Sequence, residues 1–142
     1  MEHHTLPYDV HDFLLFPSST PIDFDVIEAK KSLNIIANCQ AKVVYLAHVD
    51  KWTNIDKGVQ QMNQHLDTYQ DFMTRIDQLL SAEESICLDQ LTKQVQQWFK
   101  DFFTTQLKER VHITWKSSIE EILDFLKMDI QLNTSGLIIA VK

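Results

Sequence analysis

Only two glycines, Gly58 and Gly136, occur in 142 residues, and all three prolines fall before residue 22. Nothing beyond Pro21 therefore breaks a helix by removing an amide donor. So few glycines also exclude a phosphate-cradling loop or a Gly-x-Ser-x-Gly nucleophile elbow. Two cysteines, Cys39 and Cys87, are too few for a disulfide framework or a cysteine zinc site. Both fall in stretches expected to be helical, so buried free thiols are expected, which suits a reducing compartment. Purely apolar runs are short, "VVYLA" at 43–47 being typical, against the ~20 residues that a membrane-spanning helix needs. The opening "MEHHTLPYDV" has neither the basic residues nor the apolar stretch of a secretory signal, so a cytoplasmic protein with no membrane association is expected.

Positive charge is absent from residues 1–28, where Glu2, Asp9, Asp12, Asp23, Asp25 and Glu28 account for six of the seven net negative charges. The largest basic cluster elsewhere is Lys30-Lys31. Nucleic-acid binding depends on a basic face that displaces counterions, so neither DNA nor RNA is an expected partner. Residues 1–20 read as an extended acidic arm, either a docking strip for a basic partner or an ordinary solvated surface.

What the chain does contain is apolar material: 44% hydrophobic residues against 23% charged, enough for one domain over 1–142 with a core of its own. It also contains repeated helix-start spacing. A Ser or Thr followed three residues later by an acid satisfies two orphan amides reciprocally. That spacing occurs at Thr20–Asp23, Thr53–Asp56, Ser81–Glu84 and Ser118–Glu121, with Pro21 at a first-turn position that tolerates it. Helices are predicted at about 21–51, 54–80, 82–110 and 119–128.

The second helix carries Ile55, Val59, Met62, Leu66, Tyr69, Met73, Ile76 and Leu80 in alternating steps of four and three, a seam for packing on neighbours at a shallow angle. Gly58, His65, Phe72 and Leu79 run beside it, making His65 semi-buried. The first helix is apolar on two sides, which predicts a place between others. Short connections make sequential helices antiparallel neighbours. The expected fold is mainly α: an antiparallel up-down helical bundle of three long helices and one short helix. In the last third, "VHITW" at 111–115 alternates, and extended-looking runs flank Asn133-Thr-Ser-Gly136. A β-hairpin over 129–142 is one reading; a plain fourth helix with a disordered tail is the other.

Chemistry is sparse. His48 and His65 lie on consecutive helices, and Glu109-Arg-Val-His112 is one Glu-x-x-His pair, where di-iron bundle sites use two such pairs and two further glutamates. No His-x-x-x-His or His-x-x-x-Glu occurs. Glu120, Glu121 and Asp124 cluster at a helix start, where the dipole accounts for acids. Neither a metal nor a cofactor is expected, and an enzyme is not the expected class.

The densest feature is "VQQWFKDFFTTQL", 95–107. On a wheel at about 100° per residue, Trp98, Leu91, Phe102, Val95, Leu88, Phe99 and Phe103 span about 140°, and Leu107 widens this to about 180°. A core stripe is nearer 100°. Phe102, Val95, Leu88 and Phe99 form its centre; Trp98 on one edge and Phe103 with Leu107 on the other are surplus. The surplus is explained by coverage from the arm ("VHDFLLFP", 10–17) or the hairpin, by a partner surface with Trp98, Phe103 and Leu107 as anchors, or by a ligand box. The expected function is a non-enzymatic protein–protein interaction module that forms a homodimer: a regulator, adaptor, immunity protein or export chaperone. The competing expectation is a sensory bundle holding a small ligand or metal near His48 and His65, with Tyr69 and Phe72 in the pocket wall.

Overall fold

The computed structural model of the chain describes residues 14–46, 51–84, 86–110 and 116–142. An extended arm, 14–20, leads into α1 (Val26–Asn38) and a two-stranded hairpin of β1 (Val44–Tyr45) and β2 (Lys51–Trp52). Two long helices follow, α2 (Ile55–Leu80) and α3 (Leu88–Arg110), then α4 (Lys116–Phe125) and α5 (Lys127–Val141). The protein is mainly helical, as expected, but with five helices among the described residues, of which two are long.

The first helix starts and stops inside the predicted 21–51. Asp25 is its cap: the carboxylate accepts from the Ile27 and Glu28 amides at 2.8 and 3.0 Å. Asp25 and Glu28 have the same three-residue separation as Thr20 and Asp23, and it is Asp25 that caps the helix. At the other end Gln40 adopts φ 53, a left-handed residue that turns the chain out of the helix. The Val- and Tyr-rich stretch that follows pairs antiparallel, Val44 opposite Trp52 and Tyr45 opposite Lys51. Nor does α1 sit between other helices. It packs on α2 and buries Val26, while Ile27 and Ile35 face solvent.

The remaining boundaries are set by local bonds too. Asn54, one residue after the predicted Thr53, caps α2 by accepting from the Lys57 amide. Gly58, in the first turn, leaves room for the Trp52 indole, whose Nε1 lies 2.6 Å from where a Cβ would be. Ser81 ends α2, its amide donating to the Asp77 carbonyl, instead of starting the next helix; α3 begins seven residues later at Leu88. Ser118 falls within α4, which begins at Lys116. Cys39 and Cys87 are exposed, not buried, because each lies just outside a helix at the surface.

The predicted hairpin over 129–142 is instead α5, separated from α4 by Leu126 alone. Its inward positions Ile130, Asn133, Thr134, Leu137 and Ile138 follow steps of three, one, three and one, which is helical. Polar Asn133 and Thr134 disguised that stripe as a turn between two apolar runs. Residues 111–115, whose alternation suits a short strand, lie outside the described residues. The core fills the space among α2, α3, α4 and α5, around Tyr69, Phe72, Ile76, Phe99, Phe103, Ile122 and Leu137.

Candidate functional site

The largest concentration of buried polar groups lies where the arm crosses the helices. Leu15, Pro17 and Ser19 are buried, Ser18 and Thr20 exposed, an alternation that follows from extended backbone. Such a segment, with no strand beside it, must find hydrogen-bond partners among side chains. Gln61, His65 and Tyr69, four residues apart on α2, provide them. The Leu15 amide donates to Gln61 Oε1. His65 Nδ1 stands 2.6 Å from the Leu15 carbonyl. The Tyr69 hydroxyl donates to the Pro17 carbonyl at 2.9 Å. From α5, Asn133 Oδ1 accepts from the Ser19 amide at 2.8 Å, and the Ser19 hydroxyl donates to the Asn133 carbonyl at 3.0 Å. Asn133 Nδ2 closes the network by donating to the Tyr69 oxygen at 3.1 Å.

Matching repeats make this ladder possible. Four helical residues rise about 6.0 Å and two extended residues about 6.6 Å, so the step from His65 to Tyr69 on α2 keeps pace with the step from the Leu15 to the Pro17 carbonyl, while Gln61 takes the Leu15 amide. Proximity is tightest at Gly136, where an added Cβ would lie 1.4 Å from the Ser19 carbonyl oxygen. Only a glycine admits the arm at that crossing.

The chemistry of the network is that of a clamp. A carbonyl only accepts, so His65 Nδ1 carries a proton toward Leu15; Nε2 lies 3.1 Å from Gln106 Oε1, and both ring nitrogens are engaged by protein. Burial, with the Asp129 charge as a smaller contribution, pushes the Tyr69 hydroxyl well above its ordinary value, which keeps it a donor. His65 is thus buried outright, not semi-buried. Neither His65 nor Tyr69 offers an uncommitted atom to a ligand, Phe72 packs in the core against Phe99 and Trp98, and His48 lies outside the described residues. Among the described residues no three His, Cys, Asp or Glu side chains come together as a metal site.

The aromatic arc resolves differently from its wheel. Phe103 and Leu107, taken as partner anchors, are completely buried, whereas Leu88, placed at the centre, is 57% exposed and Phe102 is only partly buried. Leu91, Val95, Phe99, Phe103 and Leu107 form a ridge in steps of four, all buried. Such a ridge drifts about 40° per step around the helix, so a wheel summed over five turns puts its ends at the edges. Arm coverage is the reading that fits: Phe16 meets Phe103 edge-on at 4.9 Å. Trp98 is half-buried, 5.5 Å from Phe72, with the Arg75 guanidinium 5.6 Å from its ring. Gln61, Ser19 and Asn133 carry much of the clamp and are not among the residues the sequence singles out; Gln61 and Asn133 are polar side chains at helical spacing beside apolar stripes, whereas Ser19, on the extended arm, carries no such signal.

Two other features bear on binding. An apolar cavity of about 530 Å³ lies between α1, the hairpin, α2, the arm and the start of α5, walled by Leu33, Ile36, Val44, Trp52, Val59 and Met62, with Leu132 of α5 at its edge. On α5, Met128, Leu132 and Ile139 are 68%, 44% and 46% exposed. No helix among the described residues is long and apolar enough to cross a membrane. No family model, curated protein or solved structure matches the chain.

Proposed function

We propose that this protein is a non-enzymatic, cytoplasmic protein-interaction module of the regulator, adaptor, immunity or chaperone kind, with the outer face of α5 as its docking surface. The observation that carries this reading is the distribution of apolar residues on that helix. From Ile130 to Ala140 α5 has no charge, and it is apolar on both its inner and its outer side. A helix of that kind is normally enclosed all round. Here Met128, Leu132, Ser135 and Ile139 form an exposed stripe in steps of four, three and four, the spacing by which one helix seats against another. Single exposed apolar residues are ordinary; three aligned on one helix face and uninterrupted by charge are the surface an apolar helix of a partner fits. Trp98, Phe103 and Leu107 have no part in it. A photoreactive side chain placed at Met128 or Ile139 in the native host is expected to give one defined adduct, whereas the same group at exposed Gln94 gives none. Equal labelling from all three sites would sink the proposal.

A second reading has an observation of its own, the apolar cavity behind α1. It transfers the small-ligand hypothesis from His48 and His65, Tyr69 and Phe72 to a chamber walled by Leu33, Ile36, Val44, Trp52, Val59 and Met62. An apolar fluorophore titrated into the protein is expected to quench Trp52 emission saturably if the chamber takes ligands, and a Val59→Trp variant that fills it should abolish the effect. Quenching unchanged in that variant removes this reading.

A further inference from the structure

The short connection between the arm and α1 holds a strained residue. Ile22 sits at φ 98 with its side chain 85% exposed. A β-branched residue strongly avoids that region, where its side chain crowds the backbone, and prefers extended geometry. Ile22 packs on nothing that would compensate, so the strain is imposed from both sides. Upstream, Ser19 is tied to Asn133 through its amide and hydroxyl. Downstream, Phe24 lies 6.2 Å from the Tyr69 ring and Val26 is buried. The two anchors are close along the chain, and the turn at Ile22 is what lets one molecule satisfy both.

We infer that the arm exchanges between two copies of this chain, each inserting residues 14–20 into the groove of the other to form a homodimer. Thr20 is already biased to extended backbone by the proline after it, and Pro21 has a fixed φ, so rotation at Ile22 and its next neighbours is enough to straighten the connection. Exchange leaves every hydrogen bond of the clamp intact, since Gln61, His65, Tyr69 and Asn133 receive the same peptide groups from the partner copy. The one local difference is that two strained Ile22 residues relax. Strained connections of this length favour exchange over self-docking for that reason. The inference names the partner of the clamp, not of the α5 face, so either can fail without the other.

The test is light scattering on the full chain after refolding at a few micromolar and at several hundred micromolar. The concentrated sample is expected to give a dimer that persists on dilution, because release requires the whole clamp to open. Ile22→Gly, which relaxes the turn in the monomer, should weaken dimerisation by about tenfold per connection and so about a hundredfold per dimer. Benzoylphenylalanine in place of Phe16, which faces Phe103, should cross-link two chains in the dimer and a single chain in the monomer. Met128→Glu with Ile139→Glu should leave the dimer unchanged. The inference is overturned by a parent that stays monomeric after concentrated refolding, by a dimer indifferent to Ile22→Gly, by cross-links only within chains, or by a dimer lost with the α5 substitutions.

Discussion

Tyr69 shows how much one side chain carries. It is completely buried, donates to Pro17, accepts from Asn133 and packs edge-on against Phe99 at 5.1 Å. Tyr69→Phe leaves the Pro17 carbonyl and the Asn133 amide without their partner, and is expected to cost about 1–3 kcal/mol in denaturant unfolding. Its raised pKa adds a pH signature. The unfolded chain releases this proton near pH 10 while the folded chain retains it, so the stabilisation is fully present below pH 10. It declines as pH rises from there through the raised native value, by about 1.4 kcal/mol per pH unit. The parent should therefore lose stability faster than Tyr69→Phe above pH 10; parallel curves would contradict the assignment. Thr134 is the opposite case, a buried hydroxyl with no hydrogen-bond partner among the described residues. Thr134→Val keeps its shape and removes the unsatisfied group, so thermal unfolding should move upward, by roughly 1 kcal/mol equivalent.

At the scale of elements, local chemistry decides where helices begin, but several residues with suitable spacing compete for each start. Asp25 and Asn54 cap helices, and Thr20 and Thr53 do not. Asp25→Ala is expected to cost about 1 kcal/mol, the usual effect of losing an N-cap. Ser81→Ala should change stability by less than about 0.5 kcal/mol, because that residue is exposed and ends α2 through its backbone alone. Chemical denaturation of both variants checks the pair; equal losses would mean that Ser81 caps a helix after all. The existence and approximate span of α2 were legible because its periodicity is unbroken over many turns. That of α5 was not, since Asn133 and Thr134 occupy inward positions and Gly136 resembles a turn residue until the arm is seen to cross it. Propensity and alternation describe a segment in isolation, and α5 is helical because its inward face packs on α2 and α3.

For the whole molecule, the sharpest consequence concerns α3. Phe103→Ala should cost about 3–5 kcal/mol, as removal of a fully buried ring does, whereas Leu88→Ala should cost less than about 1 kcal/mol at an exposed position. The reverse ranking in equilibrium unfolding would restore the wheel's assignment of centre and edge. Composition and local spacing by themselves determined that the described chain is mainly helical and that its sequence has no basic cluster larger than Lys30-Lys31, because these depend on sums and on residue types that act locally. They also determined that the aromatic surplus on α3 exceeded what one helix face needs. Which rings lay inside was decided only in three dimensions. The burial of a side chain depends on what covers it, and the cover for Phe103 is Phe16, far away in sequence, on an arm held by Gln61, His65, Tyr69 and Asn133 from two different helices. No periodicity within a segment encodes a contact of that range, and the same is true of Gly136, whose missing side chain has its reason in the carbonyl of Ser19.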